Sequence, residues 1–145
     1  MIPEVLIHRL DPDLPLPRYA RPGDAGADLY ARIDLEIPGG GRALVPTGIA
    51  IALPVGYVAL VTPRSGFSLK LGGTLLNSPG VIDAGYRGEI GCIVHNTNVD
   101  AMHIARGDRI AQLLVLPIPE VQLTEVAALP GTQRADGGFG STGKA

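Results

Sequence analysis

The sequence predicts an all-β domain, built as a sandwich, a jelly roll or a barrel, with one short helix. Short apolar segments recur roughly every ten residues, without helix-length periodicity between them. Turn signals such as Pro38–Gly41 and Ser78–Gly80 separate these segments. The candidate strands are Val5–Leu10, Leu35–Ile37, Ala43–Pro46, Ile49–Leu53, Tyr57–Thr62, Glu89–Asn96, Met102–Ile104, Arg109–Leu116 and Val121–Val126.

Prolines mark several of the predicted strand ends. Pro46, Pro54 and Pro63 lie where a strand tolerates a missing N–H group. The one plausible helix runs over Arg64–Leu71. Because no internal repeat and no linker divides the chain, residues 1–133 are predicted to form a single β domain.

The composition indicates a folded chain without a strong charge bias. Apolar residues make up 46% and charged residues 18% of the sequence, which excludes a disordered chain. The formal net charge of −2 argues against nucleic-acid binding, and no apolar run is long enough to cross a membrane. The single cysteine, Cys92, excludes an intrachain disulfide and is expected to be a buried small hydrophobe. Without a secretion signal at the N-terminus, the cytoplasm is the expected compartment.

The glycine-rich residues 134–145 are predicted to form a flexible tail. Gly138–Lys144 has the spacing of a phosphate-binding P-loop, but Ala145 replaces the magnesium-ligating Ser or Thr and no helix follows. A P-loop NTPase is therefore excluded. The exposed N–H groups and hydroxyls of the tail could still bind polyphosphate, and Phe139 could stack on a flat base. A frayed terminus is the alternative interpretation.

Three further segments place charged side chains beside turn-forming residues. Asp83 follows an apolar pair and precedes a glycine, which suits either an Asx turn or an ionised general base. Arg64 and Ser65, at the start of the predicted helix, suit an anion site, or else Ser65 caps the helix beside a solvated arginine. Asp28 lies in a glycine-bearing segment and suits either a turn or the water shell of a magnesium ion.

Five segments, taken in order, resemble the sequence motifs of the trimeric deoxyuridine triphosphatases (dUTPases). They are AGADLYA (25–31), PRSGF (63–67), GVIDAGYRGEI (80–90), GDRIAQLL (107–114) and RADGGFGSTG (134–143). The resemblance spans nearly the whole chain. It implies a jelly-roll-like, distorted β-barrel that assembles as a homotrimer, in which the tail of one subunit closes over an active site between two others.

The activity implied by this resemblance is hydrolysis of dUTP to dUMP and pyrophosphate, by attack of water on the α-phosphorus with Mg²⁺ as cofactor. Such an enzyme limits uracil incorporation into DNA and supplies dUMP for dTTP synthesis. The expected partners are dUTP and further copies of the chain, without stable nucleic-acid or membrane binding.

The resemblance also assigns roles to individual residues. Asp83 would deprotonate the attacking water, and Asp28 would act on magnesium through water while the triphosphate holds most of the metal. Tyr86 would pack against the deoxyribose and exclude a 2′-hydroxyl, and the Asn77 amide would pair with uracil. The other expected substrate contacts, to phosphate and, for Phe139, to the uracil ring, are Arg64, Ser65, Gly66, Gln112, Arg134, Phe139, Gly140, Ser141 and Thr142.

Two alternatives share this scaffold. A deoxycytidine triphosphate deaminase is typically longer and needs a glutamate proton shuttle near the base, and a non-enzymatic binding protein would have lost Asp83, Tyr86 or the tail. One departure from the family pattern is Ala84–Gly85, where many relatives carry an acid before the tyrosine. We expect it to alter hairpin flexibility without loss of activity. Arg87 and Glu89 are expected to make contacts between subunits.

Overall fold

Ten strands and one seven-residue helix form the fold, in a computed structural model that describes residues 2–143. The predicted all-β class is confirmed. Lys144 and Ala145, at the end of the P-loop-like segment, lie outside the described residues. The elements are β1 (Leu6–Arg9), β2 (Ala27–Tyr30), β3 (Leu35–Ile37), β4 (Arg42–Ala52), β5 (Tyr57–Pro63), α1 (Ser65–Leu71), β6 (Gly73–Leu75), β7 (Gly80–Ile82), β8 (Glu89–Asn96), β9 (Met102–Ile104) and β10 (Arg109–Pro117).

The strands pair antiparallel in two four-stranded sheets and one two-stranded ribbon. The first sheet has the order β1-β4-β8-β6 and the second β2-β10-β5-β7, while β3 pairs with β9. Buried side chains from both sheets and the ribbon, such as Leu29, Ile37, Val45 and Ile110, form one hydrophobic core. Burial of this apolar surface is the main contribution that holds the sheets together.

β4 is one strand of eleven residues where the sequence predicts two. A β-bulge separates its halves, because the register against β8 shifts between Pro46 and Ala50 and Gly48 has φ of +75°. Pro46 lies next to this bulge, where a strand tolerates a missing N–H group. The bulge interrupts the sequence pattern without ending the strand.

Four other features of the strand prediction differ from the structure. β2, β6 and β7 were not predicted, because each has only three or four residues and begins with or directly follows a glycine, which is typical of turns. The predicted strand Val121–Val126 is wrong, because every residue in it is exposed and no strand of residues 2–143 pairs with it. A strand needs a ladder partner, and this segment has none among the residues that the structure describes.

The helix α1 holds Arg64 at the end of β5. Arg64 is the N-cap, with extended backbone (φ −79°, ψ 142°), and no side chain caps the helix, so the alternative cap by Ser65 is wrong. Gly72 ends the helix in the left-handed conformation, with φ of +70°. Phe67 anchors α1 in the core, and Gly73 must be glycine because a Cβ there would collide with the Phe67 ring.

Residues 118–143 follow β10 and lie almost entirely at the surface. The Ile118 N–H donates to the Gly56 carbonyl at 2.8 Å, which fixes the point where this segment leaves the sheet. The division of the chain at residue 133 stays a prediction. In the part of the chain described, no helix combines the length and the apolar character that a bilayer crossing requires.

Candidate active site

Three predicted site residues, Asn77, Asp83 and Tyr86, line one pocket of about 190 Å³. Asn77 lies in the turn before β7, Asp83 directly follows β7, and Tyr86 lies in the turn that leads to β8. Buried side chains, including Leu75 and Ile82, line the apolar part of the pocket. Because Asp83 is exposed at the rim, water and a substrate can reach its carboxylate.

The Tyr86 ring is fixed by hydrogen bonds of its own turn. Its N–H donates to the Asp83 carbonyl at 3.1 Å, and its hydroxyl donates to the Glu89 carbonyl at 3.0 Å. Gly88 leaves the space for the ring, since a Cβ at this position would collide with the hydroxyl. A Cβ at Gly85 would meet no atom within 4 Å. The glycine that stands here, where many relatives carry an acid, is therefore not required by a steric clash. The half-exposed ring forms one side of the pocket, three residues after Asp83.

Cys92 belongs to the buried lining of the same pocket and is the predicted small hydrophobe. Its side chain is 1% exposed. Burial raises the pKa of the Cys92 thiol to about 12, so the thiol stays protonated and unreactive at neutral pH.

The predicted phosphate-binding residues outside the tail line a second and larger cleft, of about 680 Å³. Strand pairing brings them together: Gln112 on β10 pairs with Asp28 on β2 on one side and with Thr62 on β5 on the other. Arg64 follows Thr62 by two residues and caps α1. The cleft is also lined by Ser65, Gly66, Arg109, Arg21 and Asp24. Three separate sequence motifs therefore meet at one end of β5.

Asp28 is the centre of the charges in this cleft. One carboxylate oxygen lies 2.8 Å from Arg64 Nε and the other lies 3.5 Å from Arg109 Nη1. Gln112 Nε2 donates to the Pro63 carbonyl at 3.3 Å. Because three arginines and two aspartates line the cleft, it has a positive excess that suits a chain of phosphates.

Arg109 was missed by sequence reasoning. On a regular strand, a residue three positions before Gln112 would point to the opposite face of the sheet. β10 contains a bulge here, since Arg109 pairs with Tyr30 while Ala111 pairs with Leu29. The extra residue places Arg109 on the face of Asp28. No sequence signal marks this bulge.

The pocket and the cleft do not meet within one chain. Ile82, the residue before Asp83, pairs with Ala59 on β5, and Arg64 follows Ala59 by five residues. At about 3.3 Å per residue, roughly 17 Å separates these positions along the strand. The structure therefore places Asp83 and Arg64 toward opposite ends of β5.

The predicted tail residues form a series of turns at the surface. Arg134 Nε donates to the Gly137 carbonyl at 2.8 Å, and the Ser141 N–H donates to the Gly138 carbonyl at 3.0 Å. Phe139 is fully exposed and has φ of +51°, and the following Gly140 has φ of +83°. The tail thus presents an aromatic ring to solvent, away from both the pocket and the cleft of its own chain.

Known proteins resemble this chain along almost its whole length. The profile of the dUTPase family matches residues 13–143. The deoxyuridine 5'-triphosphate nucleotidohydrolase of Streptomyces coelicolor is 56% identical over 141 residues, which are 97% of this chain and 77% of that protein. The dUTPase of Staphylococcus bacteriophage 80alpha, solved with dUpNHpp, has a TM-score of 0.89 at 27% identity and covers 97% of this chain and 99% of its own. A mutant dUTPase from phage phi11 of S. aureus, whose structure reveals the coordination of a structural Mg(II) ion, has a TM-score of 0.80 at 25% identity and covers 88% of this chain and 99% of its own.

These similarities decide between the scaffolds that the sequence left open. The solved dUTPases share the fold over nearly the whole chain, which confirms the predicted dUTPase-like β-barrel. The relatives are named as nucleotidohydrolases of deoxyuridine triphosphate, which favours a hydrolase of the triphosphate over a deaminase or a non-enzymatic binding protein. The chain belongs to the dUTPase family.

Proposed function

We propose that this dUTPase, which hydrolyses dUTP to dUMP and pyrophosphate, uses Asp83 to deprotonate the water that attacks the α-phosphorus. The observation that carries the proposal is the position of Asp83, exposed at the rim of a pocket whose other polar groups suit a nucleoside. The reaction limits uracil incorporation into DNA and supplies dUMP for dTTP synthesis. We place it in the cytoplasm.

The pocket at β7 takes the nucleoside. The Asn77 amide offers a donor and an acceptor together, which match O4 and N3–H of uracil and mismatch cytosine. The fixed Tyr86 ring packs against the deoxyribose and leaves no room for a 2′-hydroxyl. Discrimination of this kind is strong, because a wrong base leaves buried polar groups unpaired.

The cleft around Asp28 takes the phosphates, and it belongs to a different copy of the chain from the nucleoside pocket. In dUTP the α-phosphate is attached to the deoxyribose, so the base and the phosphate contacts must meet at one point. Within one chain Ile82, the residue before Asp83, lies roughly 17 Å from Arg64 along β5. A homotrimer brings the pocket of one subunit against the cleft of the next.

The exposed apolar segment 118–129 supports this assembly. Val121, Leu123 and Leu129 are between 68% and 93% exposed in the single chain. β1 is an edge strand of the first sheet, and within residues 2–143 it pairs only with β4. Association between copies would pair this strand edge and bury this apolar segment.

Magnesium fits this site as an ion held mainly by the substrate. Within residues 2–143, no group of three or more His, Cys, Asp or Glu side chains could hold a metal. Asp28 and the Gln112 side-chain oxygen are oxygen donors in the cleft, and Mg²⁺ accepts one or two carboxylates plus phosphates and several waters. When bound, the ion neutralises charge on the phosphates. Arg64, Ser65 and Gly66 hold the phosphate chain, and Asp28 holds water around the ion.

The tail of a third subunit closes the site, with Arg134, Ser141 and Thr142 on the phosphates and Phe139 on the uracil ring. Its exposed turns offer backbone N–H groups, including that of Gly140, to an anion.

Phe139→Ala is expected to lower kcat/KM for dUTP by roughly tenfold to a hundredfold, since stacking on a base contributes about 1–3 kcal/mol. Steady-state pyrophosphate release measures this effect. Val99→Ala is the matched control, because Val99 is an apolar residue of the β8–β9 loop that is 96% exposed. Equal kcat/KM values for the two variants would contradict the stacking role.

The proposed specificity is tested by pyrophosphate release from dUTP, dCTP, dTTP and UTP in the presence of Mg²⁺. We expect dUTP to react far faster than the other three, because Asn77 rejects cytosine, Tyr86 rejects ribose and the backbone of the hairpin crowds the 5-methyl group of thymine. Equal rates on all four nucleotides would contradict the proposed nucleoside pocket.

A further inference from the structure

The turn that carries Tyr86 is tied to distant parts of the chain through Glu89. The Glu89 carbonyl accepts the Tyr86 hydroxyl, and its side-chain Oε1 accepts from Arg32 Nη1 at 3.0 Å and from the Gly48 N–H at 2.9 Å. The Arg32 and Glu89 side chains are 33% and 29% exposed. Hydrogen bonds between charged groups that are partly shielded from water hold their geometry better than exposed pairs. Glu89 therefore joins the Tyr86 turn to the bulge of β4.

Arg32 is fixed in turn by Asp11 and Arg106. Its Nη2 donates to the Leu10 carbonyl at 3.1 Å, and its Nε lies 3.5 Å from the Asp11 carboxylate. Arg106 binds the same carboxylate with both terminal nitrogens and donates to the Arg32 carbonyl at 2.7 Å. The hydrogen bond from Arg106 lowers the pKa of Asp11 to about 2, so the carboxylate is ionised at neutral pH. Charges of alternating sign thus run from Arg106 through Asp11 and Arg32 to Glu89.

We infer that Arg32 and Glu89 are positioning residues that hold the Tyr86 ring where it excludes ribonucleotides. Arg32 does so without touching the nucleotide, since its contacts run to Glu89, Asp11 and Leu10. The inference rests on the proposed role of Tyr86 beside the deoxyribose. The Tyr86 ring can exclude a single hydroxyl only if the ring does not move. The ring is held in place only if the Glu89 carbonyl, which accepts its hydrogen bond, is also held in place.

Glu89 has its hydrogen-bond donors within its own chain, although the sequence suggested a contact between subunits. Loss of Arg32 removes the charged partner of Glu89 and frees the start of β8 to move with the turn. Movement of the ring away from the sugar makes room for a 2′-hydroxyl, while the Asp83 carboxylate remains available.

Arg32→Gln is expected to lower the ratio of kcat/KM for dUTP to that for UTP by about tenfold, mainly through faster UTP hydrolysis. Arg32→Lys keeps the charge and is expected to fall between this variant and the wild type. Arg42→Gln is the matched control, because Arg42 is an exposed arginine on β4, and its ratio should equal that of the wild type. A purely structural role of Arg32 would lower thermal stability and both activities together. An unchanged ratio in Arg32→Gln would overturn the inference.

A second pair of variants keeps the test decisive if Arg32→Gln folds poorly. Glu89→Gln retains an acceptor for the Gly48 N–H and should lower the ratio in the same direction. Tyr86→Phe keeps the ring and removes the hydroxyl, so Arg32→Gln should have no further effect on the ratio in that background. An unchanged ratio in Glu89→Gln, or an equal further fall in the double variant, would overturn the inference. Failure of the wild type itself to reject UTP would instead refute the proposed role of Tyr86.

Discussion

Asp83→Asn is expected to lower kcat for dUTP hydrolysis by about a thousandfold, which lies within the usual contribution of a general base. Asparagine has nearly the same shape and still offers an acceptor oxygen, so it can hold the water, but it cannot take the proton. Because Asp83 is exposed and belongs to no ion pair within residues 2–143, the substitution should leave the fold and the melting temperature almost unchanged.

Pyrophosphate release and dUTP binding, measured on the same preparation, separate turnover from affinity. Binding to Asp83→Asn should stay close to that of the wild type while turnover is lost. Asp100→Asn is the matched control, because Asp100 is an exposed aspartate of the β8–β9 loop and should keep full activity. Substantial turnover by Asp83→Asn would contradict the proposed base. So would label from isotopic water that enters pyrophosphate instead of dUMP, because it would place the attack on another phosphorus.

Strands could be predicted from the sequence where apolar and polar residues alternate regularly along a single segment. Glu89–Asn96 and Met102–Ile104 were predicted at their observed bounds, since apolar residues alternate along them. The bulge at Gly48 was not predictable, because a positive φ within a strand depends on the register of the neighbouring strand. The segment Val121–Val126 has the composition of a strand, but composition does not reveal whether a partner is present.

The site could be predicted as a set of separate motifs but not as an arrangement. The sequence identified Asp28, Arg64 and Gln112 individually, whereas their meeting point depends on the strand order β2-β10-β5. Arg109 joins them only because a bulge turns it to their face. Arg32 belongs to no motif, and its link to Glu89 spans 57 residues of sequence. Contacts of this kind depend on tertiary structure and leave no local pattern.

The separation of Asp83 from Arg64 leads to a second result of large effect, in which two inactive variants together restore activity. Arg64→Gln is expected to lose roughly a hundredfold in activity, because the phosphates lose a charged contact. If each site takes Asp83 from one subunit and Arg64 from another, mixed trimers of Asp83→Asn and Arg64→Gln chains contain some sites with both native residues. Random assembly of equal amounts should restore about a quarter of the wild-type activity in the whole mixture, and about a third in mixed trimers that are freed of both parents.

Co-expression of the two variants with different affinity tags, followed by purification on both tags, isolates the mixed trimers for the assay. The control replaces the Arg64→Gln chain with one that carries both substitutions, because no arrangement of those subunits forms a native site. A site built within one chain would leave the mixed assembly as inactive as its parents. An inactive mixed assembly would contradict the shared site, and so would a fully active monomer. Either result would show that Asp83 and Arg64 of one chain approach each other by a movement of β5 and its neighbours. Such a movement would have to break the β5–β7 and β5–β10 ladders, which contain much of the second sheet. Assembly of copies requires no such loss, and this is the physical reason to expect activity from the mixture.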